Sequence, residues 1–304
     1  MKSTRINARP ASRWMGLLGV ALAAAPGLAH ARPLDLFYER TVMTAAGSRC
    51  GLFTPDLARA LAAAAAQARG AALRAGASAE EIAQTERIAR GRAAGADCRS
   101  KDVTVAADRV RQAFAGFSRV NRIAYPGDVA GWQADRYVSA ANPWRLKQDT
   151  AFGADRMSFG LAGREDAPAL LAVGRFADGA QPYAARLVMR DEGRSAGPYL
   201  QRVSLGATTG LPLARRMPPP AALTSVMAEA RQPAGRDLLP KDQAGKAPAW
   251  AFRFPAPAAR ALAALDPREA IAVDFLFPGD RVRRAYVEVG DFAAGRAFVQ
   301  MTAR

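Results

Sequence analysis

The stretch Asn121–Trp144, NRIAYPGDVAGWQADRYVSAANPW, divides the chain. Apolar residues recur at helical spacing up to about residue 122 and alternate after about residue 143. The change of period predicts an α+β protein: an N-terminal antiparallel helical hairpin or bundle over 32–125, followed by a mainly antiparallel β domain over 144–304, a sandwich or partly open barrel. The dividing stretch places Trp132, Tyr137 and Trp144 among turn formers and reads, over 126–143, as a linker and packing seam. Its aromatics either plug an interface, the plainer role, or line a small-ligand cleft between domains, which makes a periplasmic small-ligand binder an alternative function.

Working back toward the N-terminus, a first helix is expected over Leu34–Ala46 with Gly47 as its stop. Thr54-Pro55-Asp56 offers an N-cap, a first-turn proline and an acid for a second helix reaching about Ala75. Ser78-Ala79-Glu80-Glu81 is a capping-box signature for a third, ending near Ala96. An antiparallel hairpin turning near residues 75–77 returns Cys50 and Cys98 to the same end and predicts a disulfide between them, which an oxidising compartment permits. A fourth helix is expected from Lys101 or Asp102 to Asn121.

Toward the C-terminus, five alternating runs predict an antiparallel meander: Trp144–Thr150, Arg156–Ala162, Ala169–Phe176, Tyr183–Asp191 and Tyr199–Leu205. Residues 207–248 are rich in Pro, Gly and polar groups and read as an irregular insertion, with a short helix over Pro220–Arg231. A strand at Ala249–Phe254, a helix at Pro257–Leu265, a hairpin of Ala270–Phe277 with Arg281–Val289, and a last helix from about Asp291 to Met301 complete the pattern.

Residues 1–31 read as a signal peptide. Lys2, Arg5, Arg9 and Arg13 precede an apolar run from Trp14 to Ala25, and Ala29-His30-Ala31 is a small-x-small cleavage pattern. The run is too short to span a bilayer, so no stable transmembrane segment is expected, and the protein is expected to be periplasmic or secreted after cleavage near Ala31. Cleavage removes His30, the one histidine, and leaves a formal charge of about +12 out of +16. Both halves share that excess, and without a basic tail or aromatic-interleaved patch it argues for no nucleic-acid partner.

A mature chain without imidazole excludes Ser-His-Asp and Cys-His nucleophilic catalysis and most zinc sites. No P-loop, dinucleotide fingerprint or Gly-x-Ser-x-Gly occurs, so neither cofactor nor metal is expected and no catalytic residue is assigned. The enzyme alternative is a histidine-independent carboxylate enzyme acting on cell-wall glycan, with Asp128/Asp135, Glu165/Asp166 or Glu288/Asp291 as the acid pair. The preferred reading leans away from catalysis. Arg145, Lys147, Arg156, Arg186, Arg190 and Arg202 fall on outward positions of the expected meander and form a candidate basic sheet face. Guanidinium groups grip carboxylates and phosphates bidentately, so such a face would dock an anionic envelope polymer, lipid headgroup or protein.

Overall fold

Proline at the first helical position and Asp35 in the first turn open α1, Pro33–Cys50, in the computed structural model, which describes residues 32–137, 139, 142–163, 168–195, 198, 211–239 and 248–301. The expected leader and the run Tyr199–Leu205 lie outside the described residues. α1 continues past Gly47 because that residue is buried against the Phe53 ring, which leaves no room for a Cβ; Gly51, at φ 63°, closes the helix. α2, Pro55–Arg74, is capped by Thr54, whose hydroxyl accepts from the Leu57 N–H. α3, Ala79–Ala94, starts at the reciprocal Ser78/Glu81 capping box. α4, Lys101–Phe114, is capped by Ser100 and stops well before Asn121. The chain then tightens into a 3-10 turn at Phe117–Arg119, where Phe117 packs edge-on against Phe298 at 5.6 Å.

The helices differ from the expected hairpin in one respect. α1 lies against both α2 and α3, which scarcely touch each other. Ala68, Ala72 and Leu73 of α2 meet Phe37 and Ile82, whereas Ala60 and Ala63 turn toward the main core, so the alanine-rich helix serves two faces. The Cys50–Cys98 disulfide forms across this arrangement, with Cα atoms 5.5 Å apart and 48 positions between the two residues. Closing such a loop stabilises by about 4 kcal/mol on the chain-entropy model.

Two antiparallel sheets follow. The larger runs β1 (Arg122–Tyr125), β2 (Trp132–Asp135), β3 (Trp144–Phe152), β4 (Asp155–Ala162), β5 (Ala169–Arg175), β9 (Ala249–Phe254) and β8 (Ala230–Pro233), in that spatial order. The smaller has the order β11 (Arg281–Glu288), β10 (Ala270–Phe277), β6 (Ala184–Arg190) and β7 (Leu223–Met227). Neither closes into a barrel. The stretch read as a linker supplies β2, paired with β1 from Arg122↔Asp135 to Tyr125↔Trp132; four-residue strands are too short to display a period. β6 leaves the expected meander because β9 occupies the free edge of β5, from Leu170↔Phe254 to Arg175↔Ala249. The helix expected over Pro220–Arg231 is instead a 3-10 turn at Pro220–Ala222 followed by β7 and β8, which give β6 and β9 their second neighbours. Tertiary pairing overrides local propensity there.

The sheets share one core. Phe159, Phe252 and Phe254 of the larger meet Val273, Phe275 and Phe277 of the smaller, and the Phe176 ring stands edge-on to Phe275 at 5.1 Å. α5 (Ala256–Ala264) and α6 (Phe292–Val299) add Leu262, Phe292 and Phe298, and α6 packs on α2, so the helices are joined to the same core. Gly160, at φ 151°, is required where β4 crosses the irregular register of β3: a Cβ would collide with the Leu146 carbonyl. No helix of the described residues is long and apolar enough to cross a membrane.

Candidate functional site

The residues of the expected basic face are split between the two sheets, and most are already engaged. Arg145 and Lys147 lie on β3 and Arg156 on β4; Arg186 and Arg190 lie on β6 in the smaller sheet. Arg202 lies outside the described residues. Arg145 donates to the Val299 carbonyl at 2.7 Å, Lys147 pairs with Asp149 at 2.8 Å, and the exposed Arg156 donates to its neighbouring Asp155 carbonyl at 2.9 Å.

Strand register engages the other two. Asp274 sits opposite Arg186 on one neighbour and Arg284 on the other, and both guanidiniums bond its fully buried carboxylate, at 2.9 and 2.6 Å. Burial penalises that charge, but the bonds from Arg284 and Arg186 outweigh it and hold Asp274 below the usual aspartate range. Arg190 is buried, with Nε 2.6 Å from Glu269 and a further bond to the Ser195 carbonyl. Burial pushes the Glu269 carboxyl up to about 7 against the pull of Arg190.

The candidate acid pairs meet a similar fate. Glu288 accepts the N–H groups of Asp128, Val129 and Ala130 at 2.8, 2.8 and 2.9 Å, so the turn read as a linker motif is wound around a carboxylate 160 positions away. Gln148 fixes the Glu288 backbone from both sides, and Arg216 bridges to Asp128 at 3.1 Å. Asp291 receives both terminal nitrogens of Arg74, at 2.9 and 3.1 Å; burial raises its pKa, and Arg74 opposes the shift. Asp135 pairs with Arg122 at 2.6 Å. Glu165 and Asp166 lie outside the described residues. Asp128, Asp135, Glu288 and Asp291 thus each accept from a donor elsewhere in the fold.

The aromatic seam is divided as well. Trp132 is buried, bonds the Val289 carbonyl at 3.0 Å and packs on Phe292 at 5.0 Å. Trp144 bonds the Leu238 carbonyl at 3.0 Å, and one side of it lines a cavity of about 460 Å³ beside Gln133 and Asn142. Tyr137 is exposed.

A cationic cavity of about 350 Å³ lies where α5 and α6 cover the larger sheet. Its charged lining consists of Glu229, Arg253, Arg260 and Arg296. Arg253 and Glu229 pair with each other at 3.0 Å. Arg260 on α5 and Arg296 on α6 have no carboxylate partner among the described residues, and the two cations sense each other: burial and the nearby Arg260 charge hold Arg296 below the ordinary arginine range. Leu161, Leu170, Phe254 and Val299 back the cavity from within the core, and Pro168, Ala169, Ala256 and Gln300 supply its more accessible lining. Sequence reading passed over this pair, although a signal existed: neither arginine has an acid within four positions, where a helix normally provides its neutralising partner. Compared with protein-family models, curated proteins and solved structures, the chain matches none.

Proposed function

We propose that the protein is an exported, non-enzymatic binding protein of the bacterial cell envelope that docks an anionic partner through arginines with no counter-ion among the described residues. The observation that supports this best is that Arg260 of α5 and Arg296 of α6 line the same cavity, set against sheet arginines that are paired with carboxylates. Two guanidiniums near each other without a carboxylate raise the energy of the empty site, and an incoming carboxylate or phosphate lowers it through paired, charge-assisted bonds. The Cys50–Cys98 disulfide and the leader expected over 1–31 support an oxidising, extracytoplasmic address.

The test is retention of the purified protein on polyglutamate beads over a salt series. R260Q/R296Q should reduce retention and flatten its salt dependence more than R111Q/R156Q, which removes the same charge elsewhere. Equal losses in the two double variants would reduce the interaction to net charge and overturn the reading.

A further inference from the structure

We infer that the α5–α6 cavity takes a compact amphipathic oxyanion, a carboxylate or phosphate on a short apolar stem, with the oxyanion between Arg260 and Arg296 and the stem against Pro168, Ala169 and Ala256. The inference rests on the anion-docking reading above and adds the size and chemistry of what is held.

Size gives the first limit. A volume of about 350 Å³ lies at the small end of ligand pockets, which run from roughly 300 to 1,000 Å³, so the cavity encloses one small molecule or the end group of a larger one, not a stretch of polymer. Charge gives the second. With Arg253 paired to Glu229, the lining carries two positive charges that have no carboxylate partner among the described residues. α5 adds to them: its N-cap is Pro255, which offers no side-chain acceptor, and Ala256 in its first turn lines the cavity, so the positive end of the helix borders the same space. A bare inorganic ion would satisfy these charges and nothing more. Leu170 and Phe254, opposite each other in register on β5 and β9, are sealed in the core, and the accessible apolar lining is Pro168, Ala169 and Ala256, with Gln300 beside it. Such a surface favours a ligand whose anionic head carries hydrocarbon.

Isothermal titration of the full-length protein with inorganic phosphate, methyl phosphate, butyl phosphate, butyrate and butanol tests this. Butyl phosphate should bind at least tenfold more tightly than inorganic phosphate, since each buried methylene is worth about threefold to fourfold; butyrate should bind and butanol should not. R260Q/R296Q, with an unchanged circular dichroism spectrum, should lose the anions at least tenfold, and R111Q/R156Q should not. Ala259→Leu fills the cavity wall without changing its charge and should erase the advantage of butyl over inorganic phosphate. Equal affinity for inorganic and butyl phosphate in the unaltered protein would overturn the amphipathic ligand while leaving the bead experiment to judge anion docking. Butyl phosphate binding that survives in R260Q/R296Q would overturn the location.

Discussion

Arg190 and Arg296 carry the same guanidinium and occupy opposite situations. Arg190 on β6 is buried against Glu269, and its neighbour Arg186 shares Asp274 with Arg284; Arg296 on α6 lines a cavity together with Arg260 and has no carboxylate partner among the described residues. The contrast shows that a cation's role follows from its counter-ion and not from its exposure pattern along a strand. In the first region positive charge holds strands in register. In the second, two cations lie near each other with no carboxylate partner among the described residues, and each disfavours the other's charge.

The contrast breaks most visibly at Arg190. Replacing it with Met strands the buried Glu269 carboxylate and should cost about 3–5 kcal/mol at pH 8 by urea denaturation. A loss under 1 kcal/mol would mean the pair does not hold the sheet. Next in size is the pH response. Because the folded pKa of Glu269, about 7, lies above its ordinary 4.5, the folded state binds the extra proton between those values. Its contribution is therefore full below about pH 4.5 and is lost as pH rises through 7, by on the order of 2–3 kcal/mol, and E269Q should remove that slope from a stability–pH profile.

Asp274 has the opposite sign. Its folded pKa is depressed, so its stabilisation is present above the unfolded value and disappears as pH falls through the folded one. D274N should lower stability at pH 7 by about 1–3 kcal/mol and abolish that acid limb, as thermal melts across pH 2–6 would register. The smallest effect belongs to the unpaired region. R296Q should change stability by less than about 0.5 kcal/mol, and in the direction of a gain, because it relieves repulsion from Arg260. A clear destabilisation would show that Arg296 is structural and would remove the contrast.

What was legible in the sequence was local. Thr54, Ser78 and Ser100 announce helix starts through their own side chains, and the structure uses all three as caps. Cys50 and Cys98 were legible by elimination, since no third cysteine competes, although the helix bringing them together is α1 against α3 and not a hairpin of α2 with α3. Alternation identified β3 to β6 as strands but carries no information about neighbours, so the transfer of β6 to the smaller sheet was hidden. The division of the candidate arginines between two sheets was hidden for the same reason. Whether Arg186 meets solvent or Asp274 is decided by a partner 88 positions away, and only the β6–β10 register supplies it. Arg260 and Arg296 were recoverable in part, as cations in alanine-rich helices with no acid in reach, but their convergence depends on how α5 lies beside α6.

The turn wrapped on Glu288 has a consequence for assembly. Backbone amides at 128–130 find their acceptor only after β11 has been made, and α2, already against α1, gains its second large contact only when α6 arrives. A polypeptide cut short before β11 therefore cannot reach this final shape, because three backbone amides of the 128–130 turn are left without their acceptor.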